Sequence, residues 1–324
     1  MMGIISLIIL AVFAAVLAAM IGIDIYKAKK RNVKYHVKQC IAGYLMMAPA
    51  VALAFVFVVL PILFSLGYSF TDYNMLYSGD IHFVGFDNFK ILAENISTHG
   101  ELWHAIRNTL IFVVCVVPLQ IGLALLLALF TNRKKRGVKV FKICFFVPVV
   151  ISLTVTSFLW LQILAPDEGG MLNSFLGMFG IPPVDFLGNE KSAMLWIVIM
   201  SAWQGCGYQM LIFSSGLTNI RDDLYEAASL DGAGAWEKFK NITLPGLKST
   251  LLYITITVFV GACRVMIQPM LMTGYKMHTV TLSYYMYQLG YSSHYVGLSA
   301  AVAFVMTIVI GIITLIQRKA LKEK

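Results

Sequence analysis

Residues 225–247 read YEAASLDGAGAWEKFKNITLPGL, a polar segment between two apolar stretches that are each long enough to cross a membrane. The residues before Asp231 are mostly good helix formers, whereas Asp231-Gly232 predicts a helix stop because glycine tolerates left-handed backbone angles. A second short helix is expected to begin near Ala233. Pro245 cannot continue a helix interior, so we expect it to mark the first turn of the next helix, where the chain re-enters the membrane. The segment therefore predicts a helix–glycine–helix on a membrane surface.

The composition of the whole chain is that of a membrane protein. Hydrophobic residues make up 59% of the 324 residues, mean hydropathy is +0.79 and 13% of residues are charged, against about 25% in a typical soluble domain. Runs of about 20 apolar residues span a bilayer as helices. Such runs predict seven spans, at residues 3–23, 40–69, 106–130, 141–164, 193–217, 250–272 and 296–316. We therefore predict an all-α polytopic membrane protein.

The distribution of positive charge predicts the orientation of these spans. Of the 25 Lys and Arg residues, 20 fall within residues 27–38, 133–142, 221–248 and 318–324. The positive-inside rule places these segments in the cytoplasm, together with the polar segment. The opposite side is expected to carry Lys90, Arg107, Lys191 and Lys276. Because topology accounts for the net charge of +9, the membrane lipid is an expected partner and nucleic acid is not.

The spans and charges together predict the domain organisation. We expect a transmembrane anchor helix at 1–24, a basic cytoplasmic linker at 25–39, a six-helix domain at 40–318 that contains a cytoplasmic loop at 219–248, and a cytoplasmic tail at 319–324. In the anchor, the basic cluster follows the apolar run, which is the reverse of a secretory signal peptide. The N-terminus is therefore predicted to lie outside and the C-terminus inside. The small residues at 14–19 leave cleavage of the anchor open.

The spacing inside the polar segment is similar to a known motif. Glu226-Ala227-Ala228 is followed after three residues by Gly232, and nine residues later by 242–245, ITLP. This resembles, without a gap, the EAA loop of permease subunits of ATP-binding-cassette importers. The resemblance implies a type I importer permease with a six-helix core, here with one extra N-terminal transmembrane helix. It also implies that the loop docks on a cytoplasmic ATPase dimer, with Glu226 bracing it from within. The coupling residues implied are Glu226, Ala227, Ala228, Asp231, Gly232, Ile242, Leu244 and Pro245.

Further segments are similar to the maltose and glycerol-phosphate branch of these permeases. They are residues 83–89, 231–233, 242–245, 272–274 and 281–288. The resemblance implies import of a sugar or oligosaccharide into a bacterial cell, a second homologous permease subunit and an extracytoplasmic solute-binding protein. Residues 83–89, FVGFDNF, suit either contact with the binding protein or an aromatic belt at the membrane surface. The chain departs from the branch at 275–278, YKMH, where Gly-Gly-Gly-Pro is common. A different contact with ligand or binding protein is expected there.

Polar side chains inside the predicted spans are candidates for a translocation path. They are costly in a bilayer and usually face a cavity or the interior of the bundle. Arg264 is the only charged residue in the interior of a predicted span. Hydroxyl and amide groups beside aromatic rings suit sugars, whereas hydrogen bonding between helices is the alternative for any single residue. Two helical stripes supply the candidates Ser201, Gln204 and Tyr208, and Thr257, Arg264 and Gln268.

The sequence contains no pattern for ATP hydrolysis or for a metal site. It has no Gly-Lys dipeptide, so the phosphate-binding pattern GxxxxGK[ST] is absent and a partner must hydrolyse ATP. No catalytic residue, cofactor or metal is predicted, and the five cysteines are interpreted as small core residues. The alternative function is a secondary transporter driven by an ion gradient. Such transporters commonly place Asp, Glu or His at membrane depth for the coupling ion, whereas the predicted spans contain no carboxylate and Asp24 lies at an edge.

Overall fold

The computed structural model describes residues 22–23, 26, 37–77, 81–132 and 137–322. The predicted anchor at 1–24, except for Gly22 and Ile23, and most of the linker at 25–39 lie outside the described residues. The described residues belong to two compact units, which divide between Gly67 and Tyr68.

In the first unit, the described residues from 37 onwards form helical structure. Helix α1 (Val37–Ala54) continues through a π-helical turn (Phe55–Val59) into α2 (Leu60–Tyr68), which ends just beyond the division. Pro61 explains the π turn, because a proline lacks the backbone N–H and its ring crowds the carbonyl four residues earlier. That carbonyl belongs to Phe57, in the middle of the π segment.

The second unit is a helical bundle. Its helices are α3 (Asp87–Ser97), α4 (Glu101–Thr131), α5 (Val138–Val150), α6 (Leu153–Ile163), α7 (Met171–Gly177), α8 (Ala193–Thr218), α9 (Asp222–Leu230), α10 (Ala235–Lys238), α11 (Leu244–Gly246), α12 (Lys248–Cys263), α13 (Ile267–Met272), α14 (Leu282–Tyr287) and α15 (Val296–Lys322). Helix α8 lies at the centre, packed most extensively against α4 and also against α5 and α12.

Among the described residues, four continuous helical stretches are long and apolar enough to cross a membrane. They are Ala42–Tyr68, Glu101–Thr131, Ala193–Thr218 and Val296–Lys319. Two bent helix pairs, Val138–Val150 with Leu153–Ile163 and Ala235–Gly246 with Lys248–Cys263, bring the number to six if each pair is one span. The upper number equals the six spans expected for the core, although the second pair includes Ala235–Gly246, which the sequence analysis assigned to the cytoplasmic loop.

The predicted span at 141–164 is wrong as a single straight helix. Helices α5 and α6 meet at an angle of 101°. Pro148 lies in the last turn of α5, and Ile151 has an extended backbone. Ser152 then caps a new helix, its hydroxyl accepting a hydrogen bond from the N–H of Val155 at 3.3 Å. The break therefore follows from a proline and an N-cap residue that were both visible in the sequence.

The predicted span at 250–272 is also wrong as one helix, because α12 ends at Cys263 and α13 begins at Ile267. In a continuous helix the carbonyl of Val265 would accept a bond from the N–H of residue 269, which is a proline and has none. The hydroxyl of Thr281 donates to that carbonyl instead, at 2.6 Å. The predicted stripe of Thr257, Arg264 and Gln268 is therefore divided between two elements.

The interpretation of the cysteines as core residues is wrong for two of them. Cys206 and Cys263 are buried, whereas Cys115 and Cys144 are exposed on the surface of the bundle. In a bilayer the hydrocarbon is as apolar as the protein core, so an apolar sequence does not indicate which face of a helix is buried. The side chain of Cys40 is outside the described part.

Candidate functional site

A cavity of about 590 Å³ lies beside α8 and is open on one side. Helices α4, α6, α8 and α12 contribute to its wall, together with the segment that joins α12 to α13. The apolar wall carries several uncharged polar groups and one cation. The polar side chains that line it are Gln120, Ser201, Gln204, Gln209, Thr257, Arg264 and Gln268.

The cavity brings together five of the six predicted path residues. Ser201, Gln204, Thr257, Arg264 and Gln268 line it, although they come from separate elements.

Tyr208 does not line the cavity and is 47% exposed elsewhere on α8. Gln209, which points about 100° away from Tyr208 around the helix, lines the cavity instead. The cavity thus crosses α8 obliquely, and a stripe parallel to the helix axis is the wrong description of its wall.

Arg264 occupies the position that ends α12. Its backbone N–H donates to the carbonyl of Gly261 at 3.1 Å, and the chain then leaves the helix. The side chain is exposed to the cavity and takes part in neither ion pair found among the described residues. The guanidinium is therefore a fork of donors that no carboxylate of the described residues neutralises.

The amide group of Gln204, on α8, is oriented by the break between α5 and α6. The Nε2 atom of Gln204 lies 3.4 Å from both the carbonyl of Ile151 and the hydroxyl of Thr156. Ser201 donates to the carbonyl of Ile197, one turn earlier, which leaves its oxygen as an acceptor. The Oε1 atom of Gln209 is buried without a hydrogen-bond partner in the described structure. The wall therefore offers both donors and acceptors.

Gln120 is a lining residue that the sequence analysis missed. It lies on α4, and its side chain occupies the space left by Gly205, where a Cβ would come within 2.2 Å of Nε2. The signal was present in the sequence, because Gln120 is the only amide between Thr109 and Thr131 in an otherwise apolar stretch.

The loop between α8 and α12 has the predicted helix–glycine–helix form. Helix α9 ends at Leu230, and Gly232 has φ of +79°. The N–H groups of Gly232 and Ala233 donate to the carbonyls of Ser229 and Ala228 at 3.2 and 2.9 Å. These two bonds form a Schellman motif, which requires a left-handed residue at the position of Gly232.

Two side-chain bonds hold the loop together. The hydroxyls of Tyr225 and Thr243 lie 2.9 Å apart, and Lys238 donates to the hydroxyl of Ser229 at 2.8 Å. The expectation that Glu226 braces the loop from within is not met, because its side chain is exposed and forms no hydrogen bond or ion pair with the described residues.

The end of the loop is anchored in the bundle, where the chain turns by 68° between Gly246 and Lys248. Leu247, at the turn, is 1% exposed and packs in a cluster with Ala128, Phe213 and Ile254. Pro245 lies in the short helix just before it. A displacement of the loop would therefore act directly on the helices that surround the cavity.

The outer face of the loop exposes apolar side chains. Leu230 is 90% exposed, Trp236 is 71% exposed, and Leu224 and Leu244 are also exposed. Large apolar groups on a charged surface segment indicate a contact site for another protein. The predicted coupling residues Glu226, Ala227, Asp231 and Gly232 lie exposed on the same loop, and Ala228 and Ile242 are half-buried.

Comparisons with known proteins agree with this arrangement. The profile of the family described as "Binding-protein-dependent transport system inner membrane component" matches residues 120–324. The arabinooligosaccharides transport system permease protein AraP of Bacillus subtilis is 32% identical, over 86% of this chain and 88% of that protein. The lactose transport system permease protein LacF of Rhizobium radiobacter is 33% identical, over 87% and 94%.

One solved structure shares the fold. It is a bacterial ABC transporter involved in the import of the acidic polysaccharide alginate. A chain of that transporter aligns with a TM-score of 0.77 at 22% identity, covering 88% of this chain and 96% of the other.

Proposed function

This chain belongs to the family of binding-protein-dependent transport system inner membrane components, and on that premise we propose that it forms part of the path of a sugar or oligosaccharide through an ATP-driven importer. It is a membrane-spanning permease subunit. The relatives named for arabinooligosaccharides and lactose support the substrate class.

The observation that carries the proposal is an open cavity with polar side chains in the wall of an apolar bundle. Polar groups at membrane depth are retained where they bind a solute or one another. Here Gln209 Oε1 has no partner in the described structure, and Arg264 has no carboxylate. Amides, a hydroxyl acceptor and a guanidinium fork can bond the hydroxyl groups of a sugar, each of which both donates and accepts.

The orientation proposed for the chain places the loop between α8 and α12 in the cytoplasm. The basic clusters at 133–142, 221–248 and 318–324 support this side by the positive-inside rule. In this orientation, the segments that precede α4, α8 and α14 lie on the extracytoplasmic side. A solute-binding protein delivers the sugar from that side.

An ATPase dimer is the partner proposed for the exposed face of the loop, with a second permease chain completing the membrane part. Closure of the ATPases on ATP would move the loop and, through Leu247, the helices around the cavity. The importer then alternates between two states, biased by nucleotide on one side and by the loaded binding protein on the other. Hydrolysis of ATP, by the partner, resets it.

The proposal is tested by transport in proteoliposomes that contain this chain with its ATPase and second permease. The probe is a radiolabelled sugar identified by thermal-shift screening of the purified binding protein. We expect uptake with ATP and none with a non-hydrolysable analogue. Uptake that continues without ATP while a proton gradient is maintained would contradict the proposal and favour a secondary transporter.

A further inference from the structure

A second cavity, of about 540 Å³, lies at the opposite end of α8 from the loop between α8 and α12, which we call the coupling loop. It is formed where α4 and α8 begin and where the segment before α14 passes between them. Its polar lining side chains are His104, Arg107, Asn108, Glu190, Lys191 and His278. Met194 and Met277 add apolar surface. This pocket shares no lining residue with the cavity beside α8.

Positive charge is concentrated at this pocket. The sequence places four Lys and Arg residues on this side of the membrane. Lys90 is paired with Asp87 at 2.6 Å, whereas Arg107 and Lys191 line the pocket and take part in no ion pair found among the described residues. Glu190 is the one carboxylate among the described side chains of the lining. The pocket therefore has a surplus of positive charge that no ion pair among the described residues neutralises.

The wall of the pocket is held in place before any ligand arrives. The Nδ2 atom of Asn108 donates to the carbonyls of Met277 and Val280, at 2.8 and 2.9 Å. The hydroxyl of Tyr275 donates to Glu101 at 3.0 Å, and burial together with this carboxylate raises the pKa of Tyr275 above its ordinary value. These bonds fasten the segment before α14 to α4, so binding would require little ordering of the wall.

His278 leaves a polar group without a partner at the same place. Its Nε2 atom is buried and has no hydrogen-bond partner in the described structure. A buried imidazole nitrogen in this state is costly unless a ligand or water bonds to it. His278 and Met277 fall in 275–278, where the sequence departs from the pattern common in its branch.

We propose that this pocket binds the carboxylate of an acidic carbohydrate as the solute enters the importer. The inference rests on the proposed function, because it takes the solute to be a carbohydrate that arrives from this side. The guanidinium of Arg107 matches a carboxylate with two parallel bonds, and Lys191 adds a second charge. A volume within the usual range of ligand pockets, about 300–1,000 Å³, fits one or two sugar rings.

The test compares an acidic disaccharide with its neutral form. Digalacturonate and its dimethyl ester are titrated by calorimetry into the intact complex, purified through its ATPase and held in lipid nanodiscs. We expect the complex to bind the acid at least about tenfold more tightly than the ester, and Arg107→Gln or Lys191→Gln to remove about tenfold of that affinity. Lys90→Gln, a lysine on the same side but outside the pocket, should change nothing.

Equal affinity for acid and ester, or an acid preference that survives both pocket variants, would overturn the proposal. A second titration, with the binding protein, distinguishes a carboxylate of the sugar from a carboxylate side chain of the binding protein. If Arg107→Gln weakens association of the binding protein but leaves digalacturonate binding unchanged, the pocket receives a protein side chain and the proposal is wrong. Failure of the chain to co-purify with an ATPase would instead contradict the proposed function.

Discussion

At the scale of single residues, backbone conformation decides which side chains matter. Gly232 has open space where a Cβ would be placed, so its requirement for glycine comes from φ of +79° alone. Arg264 lines the cavity from the position just after the end of α12. Both residues were candidates from the sequence. The structure adds the backbone conformation of Gly232 and the position of Arg264 after the end of α12.

We expect Gly232→Ala to weaken the association of this chain with its ATPase. A left-handed backbone costs an alanine about 1–2 kcal/mol, which corresponds to about fivefold or more in affinity. Gly234→Ala is the matched control, because Gly234 has φ of −71° and only an ordinary contact where its Cβ would lie. Pull-down of the ATPase by the tagged chain measures the effect. Equal recovery with the two variants would show that the bend is not part of the docking surface.

We expect Arg264→Gln to reduce sugar uptake while leaving ATPase association unchanged. Loss of a charge-assisted hydrogen bond costs about 1.5–3 kcal/mol, so uptake at low sugar concentration should fall about tenfold or more. Lys90→Gln serves as the control, since an exposed ion pair contributes little. Initial rates in proteoliposomes provide the measurement. Unchanged uptake by Arg264→Gln would exclude this guanidinium from the path.

At the scale of elements, small residues and prolines determine how the helices pack and where they end. A Cβ on Gly207 would lie 2.0 Å from the carbonyl oxygen of Phe145, so α5 approaches α8 at backbone contact. Pro269 ends the helix that would otherwise continue through the cavity wall. The cavity lies between the close contact of α5 with α8 and the break between α12 and α13.

We expect Gly207→Ala to destabilise the bundle, because α5 and α8 must separate to admit the methyl group. Overpacking of this kind costs about 1–3 kcal/mol. Gly122→Ala, on α4, has open space at its Cβ and should be neutral or slightly stabilising, since alanine is favoured over glycine within helices. Thermal unfolding of the purified complex measures both variants. A melting temperature for Gly207→Ala as high as that of Gly122→Ala would contradict the packing described here.

At the scale of the whole molecule, the assembly proposed for the chain depends on how its loop is connected to the cavity. The loop between α8 and α12 exposes Leu230 and Trp236, and the family to which the chain belongs is described as a binding-protein-dependent transport system. The Leu247 cluster joins that loop to α4, α8 and α12, which supply much of the cavity wall. Force applied at the loop therefore reaches the wall through packed side chains.

We expect an affinity-tagged copy of this chain, extracted gently from its native membrane, to co-purify with an ATPase, a second permease and a binding protein. Mass spectrometry identifies them, and a loop variant, Trp236→Ser, should lose the ATPase selectively. Because Trp236 is exposed, this variant should insert and fold normally. Recovery of the folded chain alone would contradict the docking role of the loop.

The sequence by itself determined the membrane class, the expected core of six spans and the form of the coupling loop. Those features follow from local signals, namely apolar runs of bilayer length, asymmetric basic clusters and a glycine at a helix end. The pattern of residues 226–245 also led to the family, which the comparisons confirmed.

Only the tertiary structure decided which polar residues share a wall. It showed that Gln120 and Gln209 line the same cavity as Ser201 and Arg264, and that Tyr208 does not line it. It also placed Arg107, Lys191 and His278 around a second pocket. Periodicity along a helix identifies a face but not what lies opposite it. In an apolar bundle, where lipid and core demand the same side chains, that information comes only from the packing of helices distant in the chain.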